Sequence, residues 1–462
     1  METFDLLVIG SGPGGQRAAI QAAKLGKRAA VIERREIVGG VTAHTGTIPS
    51  KTLREAVLYL CGWREKGIYG RSHRVKADIT AEDLLERLHI TVRHEIEIIQ
   101  HQLSRNGVQV ISGLAKFLDP HTVQVTNATG QTADYRAKAI VIATGTVPHR
   151  PSNIPFDDET IIDSDGLLQI KKVPRSMVVI GAGVIGVEYA TIFSALDARI
   201  TLVDSRNTIL DFVDSDIVDE FKHDLQSRGI QLRLGEDVER VEKGADGSVI
   251  THLKSGKRIR SDLLMAASGR MGATAELDLE KAGLKADDRG RLTVELTYQT
   301  AVPHIYAVGD VIGFPALAST SAEQGRLAAC HAFAAKEESA PEYFPLGIYA
   351  VPEISIVGKT EQQLRKEGIP YETGVARLRE TARGQIQGVQ EGLLKLLFGL
   401  KDHKLLGAHI VGEGATELIH IGQAVLAHGG TLEYFVGAVF NYPTFAEAYK
   451  IAALDAWNRV RV

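Results

Sequence analysis

The sequence predicts an α/β fold with two Rossmann-like dinucleotide-binding domains, and a repeated pattern carries this prediction. Residues 4–34 and 176–206 each contain a short apolar strand, a glycine-rich turn, an alanine-rich helix and a second apolar strand. In both segments an acidic residue lies 23 positions after the first glycine of the turn, because Glu33 follows Gly10 and Asp204 follows Gly181. A unit of this kind binds a dinucleotide, so we expect two of them on this chain.

Length, charge and cysteine content restrict the class of protein. The 462 residues are about three times the usual domain length of roughly 150, which predicts two to four domains. A net charge of −4 argues against a protein that binds nucleic acid or an anionic membrane. The two cysteines, Cys61 and Cys330, are too few for a disulfide framework or a four-ligand zinc site, and we expect both to be small buried hydrophobes.

Targeting segments and metal-ligand clusters are not visible in the sequence. The first residues lack the basic start and long apolar region of a signal peptide. The longest apolar stretch, 177–193, is interrupted by three glycines and Glu188, which is untypical of a membrane span. The 15 histidines show no metal-ligand grouping. The sequence therefore predicts a cytoplasmic protein without a bound metal.

The turn at residues 10–15 is expected to hold the phosphates of the first dinucleotide. Gly10 permits the tight turn, Gly12 lets a pyrophosphate approach the backbone, and Gly15 lets the helix pack closely on the strand. The N-terminus of the following helix offers free N–H groups and the positive end of its dipole. Glu33 is expected to accept hydrogen bonds from ribose hydroxyls.

The second glycine turn repeats the argument with Gly181, Gly183 and Gly186. Two dinucleotides on one chain imply two cofactors that must meet, one held permanently and one that exchanges. This arrangement predicts a flavin that exchanges electrons with a nicotinamide.

The remaining segments complete the expected architecture. A helix is predicted at about 81–104, where Leu84, Leu88, Val92, Ile96, Ile99 and Leu103 share one face. Strands that run into glycine turns are predicted at 139–145, 263–270 and 304–310. The chain after 341 is expected to form a separate α+β domain, with strands at 395–400 and 405–411 and a helix at 416–428.

Residues 39–51 carry a more specific signal. The segment Gly39-Gly-Val-Thr-Ala-His-Thr-Gly-Thr-Ile-Pro-Ser-Lys51 resembles the redox-active segment of the flavoprotein disulfide reductases, the family of lipoamide dehydrogenase and glutathione reductase. That family has two cysteines five residues apart, and here those positions are Thr42 and Thr47. The family's C-terminal motif has a histidine where this chain has Tyr442, although the acid of that motif remains as Glu447. A threonine hydroxyl forms no disulfide, so dithiol exchange is not expected.

The resemblance implies a flavin enzyme that works without thiols. Within the family, two segments of this chain are similar to those of the soluble pyridine nucleotide transhydrogenases: Gly-Thr-Ile-Pro-Ser-Lys and Phe-Asn-Tyr-Pro-Thr. That group commonly keeps the first cysteine, whereas this chain has Thr42. The implied reaction is reversible hydride transfer, NADPH + NAD⁺ = NADP⁺ + NADH, by a ping-pong mechanism through FAD. Two alternatives stay open: an NAD(P)H oxidase or diaphorase that reduces oxygen or a quinone, and an inactive structural subunit similar to lipoamide dehydrogenase.

The resemblance also assigns roles and domains. Lys51 is implied to lie beneath the flavin near N5 and to pair with Glu188, where a fixed cation stabilises developing negative charge. Tyr442 is implied either to lie near the flavin across a homodimer interface or to be a buried structural residue. The implied domains are an FAD domain at 1–147 and 273–340, an inserted NAD(P) domain at 148–272, and a dimerisation domain at 341–462.

The residues expected to bind FAD, NAD(H) or NADP(H) combine the two glycine motifs with the matched family positions. They are Gly10, Gly12, Gly14, Gly15, Glu33, Arg34, Gly39, Gly40, Thr42, Thr47, Lys51, Thr144, Gly145, Gly181, Gly183, Gly186, Glu188, Asp204, Arg206, Gly269, Arg270, Gly309 and Asp310.

One pair in that set predicts how a single site accepts both nucleotides. Asp204 would accept hydrogen bonds from the ribose diol of NAD(H), and Arg206 would bind the 2′-phosphate of NADP(H). The alternative is that Asp204 alone binds nucleotide and that Arg206 is a solvated loop residue.

Overall fold

The computed structural model describes residues 1–70, 72–336 and 342–460, and their strands and helices confirm the predicted α/β class. The strands are β1 Glu2–Ile9, β2 Ala29–Glu33, β3 Gln109–Ser112, β4 Leu114–Asp119, β5 Thr122–Thr126, β6 Thr132–Ile142, β7 Thr146–Pro148, β8 Ile161–Asp163, β9 Ser176–Ile180, β10 Arg199–Asp204, β11 Gln231–Leu234, β12 Val238–Lys243, β13 Val249–Leu253, β14 Arg258–Ser261, β15 Leu263–Ala266, β16 Arg270–Gly272, β17 Ile305–Ala307, β18 Leu346–Ile348, β19 Ile354–Gly358, β20 Tyr371–Arg377, β21 Leu393–Gly399 and β22 Leu405–Val411.

The α-helices are α1 Pro13–Lys24, α2 Gly40–His44, α3 Thr47–Leu60, α4 Lys66–Tyr69, α5 Ala81–Arg105, α6 Val184–Ala195, α7 Ser215–Ser227, α8 Ala318–Ala332, α9 Glu361–Glu367, α10 Ala382–Gln387, α11 Ala415–Ala427, α12 Leu432–Gly437 and α13 Glu447–Val460. Short 3₁₀ helices occur at Trp63–Glu65, Gly166–Gln169, Leu279–Ala282, Gly309–Ile312 and Leu378–Glu380. Among the described residues, no helix is long and apolar enough to cross a membrane.

The first of two compact units contains Met1–Leu53, Leu85–His149 and Gly269–Ala340. Its sheet has the order β3-β2-β1-β6-β5-β4, and β17 pairs with the end of β6. The strands β3, β2, β1, β6 and β17 run parallel, whereas β5 and β4 continue the sheet in antiparallel pairing. Since the carboxyl ends of parallel strands meet at one edge, the turns after β1, β2, β6 and β17 lie together.

The glycine turn after β1 is required by close backbone packing. Gly10 has φ +105°, a conformation that favours glycine, and a Cβ atom at Gly15 would overlap the Gly10 carbonyl oxygen. A Cβ atom at Gly325 on α8 would likewise overlap the carbonyl oxygen of Gly14 on α1. The glycines therefore bring α1 against both its own strand and α8.

The second unit contains Arg54–Leu84, Arg150–Ser268 and Pro341–Val462. It has an all-parallel sheet in the order β11-β10-β9-β15-β8 and a three-stranded antiparallel sheet, β12-β13-β14. The turn after β9 reproduces the first repeat, because Gly181 has φ +104° and a Cβ atom at Gly186 would overlap the Gly181 carbonyl oxygen.

The C-terminal part of the second unit is an antiparallel sheet in the order β18-β19-β22-β21-β20, with α11 and α13 packed on it. Its core contains Phe398, Phe435 and Tyr449. The strands and the helix predicted after 341 are present within two residues of their expected bounds. The predicted domain boundary between 340 and 341 lies outside the described residues.

Candidate functional site

A cleft opens in the first unit, at the carboxyl ends of its parallel strands. Four chain segments that follow β1, β2, β6 and β17 supply most of its walls. The residues that line it include Gly10, Gly12, Gly14, Glu33, Arg34, Gly40, Thr42, Thr47, Thr144, Gly145, Gly309 and Asp310. The structure thus brings together twelve of the predicted cofactor-binding residues.

Glu33 is held in this cleft by uncharged donors. Its Oε2 atom accepts hydrogen bonds from the Ser11 hydroxyl at 2.5 Å and the Ser11 N–H at 3.1 Å. Its Oε1 atom accepts the Arg35 N–H at 3.0 Å, and Gly39 N–H donates to the Ser11 hydroxyl. Because Glu33 is buried, these bonds fix its carboxylate at the end of β2.

The cleft also contains polar groups that fit a bound FAD. The Thr144 hydroxyl is buried and has no hydrogen-bond partner among the described residues. Helix α1 begins at Pro13, which has no N–H, and no side chain caps the helix, so its first N–H group is that of Gly14 in the cleft wall and has no intrahelical acceptor. No described atom lies within 4 Å of a Cβ built at Gly12, which leaves the backbone open to a pyrophosphate. These residues therefore match an anionic dinucleotide.

Asp310 occupies the end of the cleft after β17. Burial raises the pKa of its carboxyl, and the Arg270 charge and the Thr146 hydroxyl offset only part of that effect. Arg270 does not line the cleft but donates to the Thr146 hydroxyl at 2.7 Å and to the Thr146 carbonyl at 2.9 Å. The predicted residue Arg270 thus contacts a wall of the cleft and not its interior.

The positions where the family has cysteines are both in the cleft wall. Thr42 lies in α2 and Thr47 begins α3, and both line the cleft. One turn further along α3, the Lys51 ammonium donates to the Ser50 hydroxyl at 3.3 Å. Cys61 and Cys330 are buried elsewhere, as predicted, and burial raises the pKa of the Cys61 thiol.

The second repeat holds its acidic residue with a cation. Asp204 Oδ2 accepts the Ala182 N–H at 2.6 Å, and Oδ1 accepts the Arg206 N–H at 2.8 Å. The Arg206 guanidinium adds bonds from Nε to Oδ1 at 3.0 Å and from Nη2 to Oδ2 at 2.9 Å. Burial opposes ionisation of Asp204, but these donors outweigh it and lower the pKa of the carboxyl.

The other predicted residues of the second unit differ in exposure. Glu188 is buried on α6, and its carboxylate accepts the Tyr349 N–H at 2.8 Å. Tyr442 is 75% exposed in the single chain, and both of its alternative roles stay predictions. Glu447 begins α13 and accepts the Thr444 N–H at 3.3 Å. The pairing of Lys51 with Glu188 stays a prediction.

Some residues of the cleft were not predicted. Ser11 could have been found, because it lies inside the glycine turn and its hydroxyl donates to Glu33. Other lining residues adjoin predicted ones along the chain: Ile9, Pro13, Ile32, Arg35, Val41, Ala143, Thr146 and Val308. The rest come from segments without a nucleotide motif and have no comparable signal in the sequence: Gly113, Leu114, Ala115, Ala273, Glu276, Leu277, Ala316, Ala318 and Ser321.

Three acidic residues outside the cleft are close enough to hold a cation, and the cation that they bind is the ammonium group of a lysine. Oxygens of Asp214, Asp216 and Glu361 lie within 4.8 Å of one another. The Lys395 ammonium contacts them at 2.9, 2.7 and 2.5 Å. The fully buried Lys395 therefore binds all three carboxylates and offsets one of their three negative charges within the second unit.

Comparisons with known proteins agree with the geometry. Residues 4–325 match the family model of the pyridine nucleotide-disulphide oxidoreductases, and 344–453 match the model of their dimerisation domain. A soluble pyridine nucleotide transhydrogenase of Mycobacterium tuberculosis (strain ATCC 25177 / H37Ra) is 54% identical over all of this chain and 98% of its own. Proteins of the same name from Yersinia enterocolitica and Colwellia psychrerythraea are 46% and 44% identical, each over 99% of this chain and 98% of their own.

Solved structures share the fold at lower identity. LpdA of Mycobacterium tuberculosis superposes with a TM-score of 0.89 at 24% identity, over 98% of this chain and 99% of that one. The flavoprotein disulfide reductase RclA of Escherichia coli, in its Cu(II) complex, gives 0.88 at 26% identity over the same shares. The chain belongs to the pyridine nucleotide-disulphide oxidoreductase family.

Proposed function

We propose that this protein is an FAD-dependent transhydrogenase that transfers a hydride reversibly between NADPH and NAD⁺. The observation that carries the proposal is the pair of threonines, Thr42 and Thr47, in the wall of a cleft that otherwise fits FAD. A hydroxyl cannot cycle through a disulfide, which leaves flavin and nicotinamide as the redox partners. The full-length relatives named as soluble pyridine nucleotide transhydrogenases support the same activity.

The residues of the first unit would hold FAD permanently. Glu33 would accept ribose hydroxyls, the first turn of α1 would bind the pyrophosphate, and the Thr144 hydroxyl would find its missing partner on the cofactor. FAD, when bound, supplies a two-electron carrier that accepts a hydride from one nucleotide and returns it to another. The neutral hydrogen bonds around Glu33 keep this end of the cleft preorganised.

Lys51, Glu188, Tyr442 and Glu447 are proposed to complete the catalytic surface. Lys51 would present a fixed positive charge near flavin N5, and Glu188, held by the Tyr349 N–H, would orient it. The exposed Tyr442 would lie in the interface of a homodimer, and Glu447 would hold the turn that carries it through Thr444. No side chain needs to gain or lose a proton, so positioning supplies most of the catalysis.

The second repeat is proposed to bind NAD(H) and NADP(H) in turn. The uncapped N-terminus of α6 and the open Gly183 backbone would bind the pyrophosphate. Asp204 would accept the ribose diol of NAD(H), and Arg206 would bind the 2′-phosphate of NADP(H). We propose a cytoplasmic homodimer, and the match of residues 344–453 to the family's dimerisation domain supports the dimer.

Anaerobic spectroscopy of the purified protein tests this function directly. Addition of NADPH should bleach the flavin absorbance, and NAD⁺ added afterwards should restore it while NADH appears. Restoration by oxygen or a quinone but not by NAD⁺ would contradict transhydrogenation and favour an oxidase or diaphorase. Absence of any flavin from the protein would contradict it in favour of a structural subunit.

A further inference from the structure

The guanidinium of Arg206 is shared between two carboxylates of unequal exposure. Nε and Nη2 contact Asp204, and Nη1 donates to Asp211 Oδ1 at 3.1 Å. The Asp204 side chain is 6% exposed, whereas the Arg206 and Asp211 side chains are 42% and 50% exposed. Arg206 therefore has one buried partner and one partner in contact with solvent.

Asp204 has no acceptor capacity left in this arrangement. A carboxylate has about four lone-pair positions, and four N–H donors already use them: those of the Ala182 backbone, the Arg206 backbone, and Nε and Nη2 of the Arg206 guanidinium. A ribose diol can donate to Asp204 only when the guanidinium withdraws. The first event in binding NAD(H) is thus the release of Arg206 from Asp204.

We propose that Asp211 is a specificity-determining residue of the second nucleotide site, an inference that rests on the proposed function. When NAD(H) occupies Asp204, Asp211 retains the displaced guanidinium. When NADP(H) binds, the same carboxylate competes with the 2′-phosphate for that guanidinium and repels the phosphate. Asp211 thus favours binding of NAD(H) and disfavours binding of NADP(H), and it contacts neither nucleotide.

Replacement of Asp211 is expected to change the affinities for NAD⁺ and NADP⁺ in opposite directions. A purely structural role of Asp211 would change both affinities in the same direction. With Asp211→Asn, the displaced guanidinium loses its remaining charged partner, so NAD⁺ should bind about two- to fivefold more weakly. The same change removes a competitor of the phosphate, so NADP⁺ should bind about two- to fivefold more tightly. These factors are what an exposed ion pair of up to about 1 kcal/mol provides.

Equilibrium titration of the FAD-loaded, full-length protein tests the proposal without turnover. Calorimetric dissociation constants for NAD⁺ and for NADP⁺ are measured in the parent, in Asp211→Asn and in the conservative variant Asp211→Glu, which should restore the parent ratio. Asp219→Asn is the matched control, because Asp219 is an exposed aspartate of the same unit that pairs only with Lys222 among the described residues. Affinities that move together, or not at all, in Asp211→Asn overturn the proposal.

Two further variants examine the mechanism. In an Arg206→Ala background, Asp211→Asn should no longer weaken NAD⁺, because no guanidinium needs a second partner; continued weakening overturns the proposal. Ala182→Ser adds a hydroxyl donor to Asp204, as Ser11 does for Glu33, and should raise the affinity for NADP⁺ by releasing Arg206. A parent protein that binds both nucleotides but transfers no hydride from NADPH to NAD⁺ contradicts the proposed function and leaves the titrations interpretable.

Discussion

The two glycine-rich repeats have the same spacing but hold their acidic residues in different ways. In the first repeat, Ser11 donates both its hydroxyl and its N–H to Glu33. In the second, the corresponding residue is Ala182, which has only an N–H to donate, and Arg206 supplies the other donors to Asp204. Arg35 occupies the position of Arg206 in the first repeat, and its guanidinium contacts no carboxylate among the described residues.

This difference explains how the same motif can hold one dinucleotide firmly and another reversibly. A buried carboxylate bound by neutral groups is fixed, because opening any of those bonds leaves an unsatisfied polar atom. A carboxylate bound by a half-exposed guanidinium can exchange partners, because solvent screens much of the ion pair. The first arrangement suits a cofactor that stays, and the second suits a nucleotide that enters and leaves.

The largest effect is expected for Lys51, which lies outside both repeats. Lys51→Ala should keep FAD bound but slow flavin reduction by NADH and NADPH equally, roughly 10²- to 10³-fold, since it removes a preorganised charge at the flavin. Anaerobic stopped-flow absorbance measures both rates. Lys138→Ala, an exposed lysine of the same unit, is the control. Reduction as fast as in the parent would remove Lys51 from the mechanism.

Replacement of Glu33 tests whether the acidic residue of the first repeat binds FAD. Glu33→Gln turns an amide N–H₂ toward donors such as Ser11, and FAD should bind about 10- to 150-fold more weakly, as loss of a charged hydrogen bond of about 1.5–3 kcal/mol implies. Fluorescence titration of the apoprotein with FAD gives the affinity. The matched variant Asp204→Asn should retain FAD, and equal loss of FAD in both variants would contradict the division of roles.

Replacement of Arg206 tests the second repeat, and the expected loss of binding free energy is as large as for Glu33. Arg206→Ala should weaken NADP⁺ about 10- to 150-fold through the lost phosphate contact of about 1.5–3 kcal/mol. NAD⁺ should bind at least as well as before, because Asp204 regains two acceptor positions. Separate titrations with the two nucleotides decide this, with Arg260→Ala on β14 as control. Equal losses for both nucleotides would show that Arg206 is structural.

The smallest effect is expected for the cysteines, which belong to neither repeat. Both are buried, and burial raises the pKa of Cys61, so little reactive thiolate forms. The double change Cys61→Ala and Cys330→Ala should alter the steady-state rate of transhydrogenation by less than about twofold. A folded, flavin-loaded double variant without turnover would show that a thiol takes part in the reaction.

Local sequence patterns predicted much of this molecule. The helix predicted at 81–104 is present as α5, and Leu84, Leu88, Ile99 and Leu103 of its apolar face are buried. The glycine turns and the acids 23 residues beyond them occupy the expected places, since a strand, a tight turn and a helix are specified by neighbouring residues. The position of Tyr442 could not be derived in this way, because its exposure depends on which surfaces pack against it.

The sequence by itself determined the two repeats, the absence of cysteines at the positions of the family's disulfide, and twelve of the residues that line the cleft. Only the tertiary structure decided which donors reach each acid: Ser11 for Glu33, Arg206 and Ala182 for Asp204, and Lys395 for three carboxylates on α7, α9 and the residue before α7. Periodicity specifies which face of an element is buried. It does not specify which long side chain meets which charge across separate elements, because that contact depends on how those elements pack.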